Sequence, residues 1–178
     1  MTPLEEGLAI LKEHEGGFTW NPADPGGPTN FGVSLRFLRT QALDLADVDG
    51  DGDVDIDDIR GLTWERACSL VWIPIFWYGP KLNLLPGPLA VKTFDLGANV
   101  GPVQAGKFLQ RALRACREPV EEDGIIGRDT RAAIERVEAL GAVLASLRSE
   151  AAGFYRMLAI KNPALEVFLK GWLTRAYW

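Results

Sequence analysis

Leu11-Lys12-Glu13-His14-Glu15-Gly16-Gly17-Phe18 is the segment on which the reading of this chain turns. Upstream of it, Leu4, Leu8, Leu11 and His14 recur at helical spacing, and Thr2 or Pro3 can start the helix. A helix is therefore expected over residues 3–15, ended by Gly16-Gly17. It delivers Glu15 to a helix C-terminus, where the dipole disfavours negative charge. Leu11, Phe18 and Trp20 can supply apolar surroundings, and both effects raise a carboxyl pKa. A loop punctuated by glycine and proline follows, Asn21-Pro22-Ala23-Asp24-Pro25-Gly26-Gly27-Pro28-Thr29-Asn30-Phe31-Gly32. It carries a second carboxylate, Asp24, and two small polar side chains, Thr29 and Asn30. An acid on a rigid element facing polar groups on a loop suits acid–base cleavage of a bond between sugars. Asp24 is a candidate base or charge stabiliser, and equally a turn residue before Pro25.

Outward from this segment the pattern stays helical. Val33–Leu45 reads as a helix with Ser34 as N-cap. Thr63 caps another that carries Ala67, Leu70, Val71 and Trp72 inward until Pro74 breaks or kinks it. Further helices are expected over Leu89–Asn99, Val103–Ala115, from Asp129 or Thr130 to about Leu140, over Ala142–Lys161 and over Ala164–Ala176. Period-two alternation is almost absent, so the fold class is mainly α. A small loop or hairpin lobe at 18–32 and an EF-hand-like loop at 47–58 interrupt it. The expected division is residues 1–90 and residues 91–178, packed together as one compact unit.

At 178 residues the chain can bury one good core. Its 47% apolar and 24% charged residues are ordinary for a water-soluble globular chain. No apolar run reaches the roughly 18 residues a membrane span requires. The N-terminal segment has acids where a signal peptide has bases, so synthesis in the cytoplasm is expected. Cys68 and Cys116 are too few for a metal knuckle or a disulfide framework, and are expected as plain thiols. The net charge of −5 is concentrated locally: eight acids and no base lie from Asp44 to Asp58. The remainder holds 16 acids against 19 bases, a balance of +3, which suits an anionic polymer. No nucleic-acid partner is expected, and a monomer is.

The acidic stretch has internal order. With Asp47 as position 1, side-chain oxygens fall at positions 3 and 5 (Asp49, Asp51) and glycine at 6 (Gly52). Asp53 stands at position 7, apolar Val54 at 8, and Asp55 and Asp58 at 9 and 12. Aspartate at position 12, where an EF-hand usually has glutamate, resembles the calcium loops of dockerin modules. The expected ligands are Asp47, Asp49, Asp51, Asp53, Asp55 and Asp58, binding Ca²⁺ in a structural role.

The first half resembles glycoside hydrolase family 108, the lysozyme-like N-acetylmuramidases. The resemblance rests on Glu15-Gly16-Gly17-Phe18 at a helix end, on the stretch Asn21 to Ser34, and on Trp72-Ile73-Pro74-Ile75-Phe76-Trp77. The second half resembles the predicted peptidoglycan-binding domain that accompanies this unit, through Phe94 to Gly101, Ala105 to Leu113, Asp123 to Thr130 and Phe168 to Arg175. The resemblance implies a lysozyme-like helical fold. It also implies hydrolysis of the β-1,4 bond between N-acetylmuramic acid and N-acetylglucosamine, with Glu15 as general acid. An enzyme of this kind without a signal peptide looks like a phage or prophage endolysin, released through a holin. Phage-type lysozymes place a threonine at the count that falls here on Asn30, beside Thr29, so one of these two is expected to hold the catalytic water. Trp20, Trp77 and Tyr78 are candidates for stacking on sugar rings. Two alternatives stay open at this point: a non-catalytic wall-binding or secretion-linked protein of the same fold, and a chitinase- or chitosanase-like enzyme.

Overall fold

The computed structural model of the chain describes residues 1–20 and 27–178. Its first helix, α1 (Pro3–His14), begins in a reciprocal cap. The Glu5 N–H donates to Thr2 Oγ1 at 3.3 Å, and the Thr2 N–H donates to Glu5 Oε2 at 2.7 Å. Two short strands, β1 (Thr29–Asn30) and β2 (Val33–Ser34), form an antiparallel pair with Thr29 opposite Ser34 and Asn30 opposite Val33. Both residues of the connecting turn have positive φ, +48° at Phe31 and +75° at Gly32. That is the mirror-image turn whose twist matches a two-residue hairpin. Thr19 bridges to Thr29 through a pair of backbone hydrogen bonds of 2.8 and 2.9 Å.

The helix expected over Val33–Leu45 does not form as one element. Ser34 is indeed an N-cap, accepting from the Phe37 N–H at 3.2 Å. The helix it caps, α2 (Leu35–Leu38), lasts one turn. The Thr40 hydroxyl then donates back to the Phe37 carbonyl, and Arg39 Nε donates to Val54 O at 2.9 Å. The backbone itself tightens to i→i−3 bonds, Thr40 N–H to Phe37 O at 2.9 Å and Gln41 N–H to Leu38 O at 3.0 Å, and the helix stops there. After α3 (Leu43–Ala46) comes the acidic loop, then α4 (Ile56–Gly61) and α5 (Trp64–Ala67), the last capped by Thr63.

Pro74 does not end the helix that follows. Residues Cys68–Tyr78 continue from α5 as a π-helical segment with Pro74 inside it. The wider turn moves away the carbonyl that would meet the proline ring in an α-helix, so the ring costs one N–H donor and no break. A 3₁₀ turn (Leu82–Leu84) leads to α6 (Gly87–Val100), α7 (Pro102–Ala115), α8 (Arg128–Arg136) and α9 (Leu140–Lys161). A second 3₁₀ turn (Pro163–Leu165) precedes α10 (Glu166–Tyr177). The described residues are mainly α-helical, and the hairpin is their only sheet. Among them no helix is long and apolar enough to cross a membrane.

The chain groups into two compact units, Leu8–Ile75 and Met1–Gly7 with Phe76–Trp178. Leu11, Val33, Leu38, Ala46, Ile59 and Leu62 are buried in the first. In the second, α7, α9 and α10 pack together with α6, which is buried at every position from Leu89 to Gly97. Burial of α6 encloses Lys92 and Asp95, 3.1 Å apart, and Arg175 Nε donates to the other Asp95 oxygen at 2.7 Å. Lys92 also donates to the Arg175 carbonyl. A charge this deep persists only with such partners. Burial still pulls the Lys92 pKa down, against the pull of Asp95 in the other direction.

Candidate active site

Glu15 lies one residue beyond α1, half-buried, its N–H donating to Leu11 O at 2.8 Å. Its carboxylate lies against the hairpin turn. A Cβ placed on Gly32 would stand 2.8 Å from Glu15 Oε2 and would collide with the indole ring of Trp72. Only a bare backbone with positive φ fits between acid and ring. The Trp72 indole N–H donates to Phe31 O at 3.1 Å, which ties the other side of the turn down. Beneath it, the Phe31 ring meets Trp64 edge to face at 5.9 Å, and the Lys12 ammonium sits 5.8 Å from the Trp64 ring. At the rim, the Arg60 guanidinium covers Phe18 at 5.4 Å. All of these residues belong to the unit Leu8–Ile75.

Thr29 is half-buried, and its hydroxyl shares a 2.8 Å hydrogen bond with that of Thr19. Asn30 turns inward instead. It is 4% exposed, and its Nδ2 donates to Ile59 O at 2.8 Å and Leu62 O at 3.2 Å. It thereby serves carbonyls that the end of α4 leaves without helical partners. Asp24 lies outside the described residues. Trp20 is 53% exposed and available for stacking, as is Tyr78 at 52%, which belongs to the other unit. Trp77 is not available: it is 3% exposed, its ring edge-on to Phe94 at 5.5 Å, so its apolar area is spent in the core. Sequence reading missed Phe31, Gly32, Trp64 and Arg60 as parts of this site. The Asn-Phe-Gly turn signal was available for the first two. Nothing local marks the others, because their contacts join distant segments.

The acidic loop is built around Asp47 and Asp58. Asp47 Oδ1 accepts from the N–H groups of Gly50 (2.6 Å) and Asp51 (3.2 Å), and its Oδ2 from Gly52 (3.0 Å). Gly52 has φ of +96°. Asp55 is the N-cap of α4 and forms a capping box with Asp58. Asp58 is 1% exposed, its Oδ1 accepting from Val48 N–H at 2.6 Å and its Oδ2 from Asp55 N–H at 2.7 Å. Carboxylate oxygens of Asp47, Asp49 and Asp58 lie within 4.8 Å of one another, as do those of Asp53, Asp55 and Asp58. The crowding shows in the acidities. Asp49 is pushed up by desolvation and then by the charges of Asp51, Asp58 and Asp47. Asp53 is pushed up first by Asp51.

Both cysteines are free thiols, Cys68 buried and Cys116 half-buried. Burial, with the charge of Glu65 adding to it, raises the Cys68 pKa to about 11, a value that leaves it unreactive at neutral pH.

A carboxylate held at a helix end against a glycine turn and an indole ring supplies one of the two acid groups that glycoside hydrolysis uses. Residues 8–101 match the family described as Glycosyl hydrolase 108, and the chain belongs to that family. Residues 104–177 match the family described as Predicted Peptidoglycan domain. Among solved structures, the chain is similar to that of Brucella abortus SagA, at a TM-score of 0.71 and 26% sequence identity. The match covers 98% of this chain and 89% of that one. No curated protein sequence matches. Together the two family matches make this a glycoside hydrolase acting on peptidoglycan.

Proposed function

We propose that the chain cleaves the β-1,4 bond between N-acetylmuramic acid and N-acetylglucosamine, with Glu15 as the general acid. The observation that carries this reading is the seat of Glu15: a helix end, a glycine turn and the Trp72 ring, all within the family match. Thr29, whose hydroxyl bonds that of Thr19, and Asn30 are the two proposed candidates for holding the catalytic water. The Nδ2 of Asn30 is committed to the end of α4, while its buried Oδ1 has no hydrogen-bond partner among the described residues and is the atom through which Asn30 would hold water. Asp24 remains the proposed second carboxylate. Trp20 and Tyr78 are the proposed stacking surfaces.

We further propose that the acidic loop holds Ca²⁺. Its donors are oxygens only, they gather in two triads that share a buried Asp58, and glycine stands at the sixth position with positive φ. Asp47, Asp49, Asp51, Asp53, Asp55 and Asp58 would hold the ion. Its part is structural, fixing α3 against α4; the proton transfers stay with Glu15 and its surroundings.

The test is clearing of outer-membrane-permeabilised Gram-negative cells by wild type and Glu15→Gln, with mass spectrometry of the released ends. We expect clearing by wild type, new reducing ends at N-acetylmuramic acid, and a loss of roughly 10²- to 10⁴-fold in Glu15→Gln, the usual worth of a general acid. Full activity in Glu15→Gln overturns the assignment of the acid. Reducing ends at N-acetylglucosamine overturn the assignment of the bond.

A further inference from the structure

The unit Met1–Gly7 with Phe76–Trp178 carries a cleft of its own, built on a loop that is locked in place. Gln110 on α7 is 1% exposed and acts as the lock. Its Nε2 donates to Asp123 Oδ1 at 2.6 Å and to Ile125 O at 3.1 Å, and its Oε1 accepts from the Gly124 N–H at 2.7 Å. Asp123 also accepts from the Ile125 N–H at 2.8 Å. These bonds, the one from Gln110 foremost, hold its carboxyl below the usual range. Two glycines allow the loop to lie this close. A Cβ on Gly106 would strike the Gly124 carbonyl, and one on Gly124, at φ of +80°, would stand 2.5 Å from Val103 O. The wall is thus shaped before any ligand arrives.

Against this wall lies a cleft of about 430 Å³. Its rim carries both signs of charge, Glu121 and Asp129 against Arg128 and Arg136, with Val120 and Ile125 between them. No aromatic side chain is among its lining residues. A sugar ring offers C–H faces that aromatic rings receive, and it carries no charge to meet these four side chains. Arg128 and Asp129 pair at 3.3 Å, but at 90% and 89% exposure such a pair is weak, and both can take other partners. Ile125 is 65% exposed despite being apolar.

We propose that this cleft binds the peptide stem of peptidoglycan, at a residue that bears both a free amine and a carboxylate. Arg128 receives the carboxylate, beside an Arg136 that is already paired with Glu118 at 2.8 Å; Glu121 and Asp129 receive the ammonium group, and Ile125 the intervening methylenes. The inference rests on the reading of the chain as a peptidoglycan hydrolase, and it splits the work: glycan at the Glu15 site, peptide here.

The experiment is calorimetric and NMR titration of the full chain with the free tripeptide L-Ala–γ-D-Glu–meso-diaminopimelate. The same tripeptide with its free side-chain amine acetylated, and a peptide-free N-acetylglucosamine tetramer, serve as comparison probes. We expect the tripeptide to shift resonances of Gly124, Ile125 and Thr130. Arg128→Glu, whose exposure leaves folding intact, should weaken it roughly tenfold, as loss of one charge contact of about 1.4 kcal/mol implies. Acetylation should weaken it comparably. The absence of tripeptide binding, equal binding by wild type and Arg128→Glu, equal binding of the acetylated peptide, or the same shifts from the tetramer overturns the inference. Failure of the hydrolase reading would show separately, as absence of new reducing ends from whole wall.

Discussion

At the scale of single residues, Gly32 is the most constrained position in the candidate site. Its φ of +75° disfavours any side chain, and a Cβ there meets both the Glu15 carboxylate and the Trp72 ring. Gly32→Ala should therefore cost roughly 2–4 kcal/mol of stability, the sum of backbone strain and overpacking. It should also displace Glu15, so that activity falls further than the unfolded fraction explains. Thermal unfolding and wall clearing measured on the same sample separate the two effects, and an Ala variant with full activity would refute the close seat of Glu15. Tyr155 supports a prediction about pH. Its hydroxyl donates to Asn99 Oδ1 at 2.7 Å, its ring stacks on Trp172 at 5.3 Å, and burial raises its pKa from 10.0 to about 12. Below pH 10 the folded and unfolded chains both hold this proton. Between pH 10 and about 12 the unfolded chain releases it and the folded chain keeps it, so stability is lost as pH rises, by roughly 3 kcal/mol across the window. Lys92, with its lowered pKa, pulls the other way as pH approaches 10.5, but it is present in both proteins when wild type is compared with Tyr155→Phe. Tyr155→Phe should be about 1 kcal/mol less stable at pH 7, having lost a hydrogen bond. Its denaturant midpoint should then decline less between pH 10 and 12. Parallel declines would mean that Tyr155 titrates normally.

At the scale of elements, the helix–loop–helix from α3 to α4 concentrates seven carboxylates in the twelve residues from Asp47 to Asp58. Each close pair repels by about 1 kcal/mol even in water, and Asp58 is held away from water altogether. If a cation relieves this, calcium at about 100 times its Kd stabilises the fold by roughly 3 kcal/mol, and chelation lowers the melting temperature accordingly. Asp58→Asn should abolish that difference. Identical melting curves with calcium and with chelator would leave the loop a solvated acidic segment. Glycine and apolar positions at fixed counts from Asp47 make this segment read as a cation loop, and the melting experiment is what tests that reading. Helices α6, α7, α9 and α10 were legible because their apolar faces repeat over three or more turns, whereas the shorter α8 ends at Arg136, before the expected Leu140. Val33–Leu45 misled for the opposite reason. Its apolar residues keep helical spacing, but after Leu38 the backbone closes in i→i−3 bonds at Thr40 and Gln41, and Arg39 bonds to Val54, fifteen residues away, contacts that local spacing does not encode. The π-helical segment could not be read either. Cys68–Tyr78 is apolar on nearly every side, so its periodicity carries no information about the turn it adopts. Within the candidate site the division is similar. Glu15 announces itself by a helix end and two glycines, whereas Trp64 and Trp72 gain their roles only when the hairpin turn comes to lie between them.

At the scale of the whole molecule, charge sets how the enzyme meets its substrate. The net charge of −5 hides a separation, with eight acids from Asp44 to Asp58 and a balance of +3 elsewhere. A wall polymer rich in carboxylates is attracted by the basic remainder and repelled by the loop. Both effects act over a Debye length, roughly 30 Å at 0.01 M salt and about 8 Å at 0.15 M. At 0.01 M salt the wall feels the whole net charge of −5 and is repelled, so retention on purified sacculi should rise between these two salt concentrations. Glu15→Gln is the protein to use, so that binding is measured without digestion. Calcium bound as proposed would partly neutralise the loop, so chelator should then weaken retention at 0.01 M salt and have little effect at 0.15 M, where the loop is screened in either form. Arg128→Glu adds to the same argument from the other unit, since it reverses one charge at the rim of the peptide cleft. Its net charge is two units more negative, so its salt dependence should be steeper than that of the parent. Retention that is indifferent to salt would mean that uncharged contacts with the glycan dominate. The charge separation would then serve only the folding of the acidic loop.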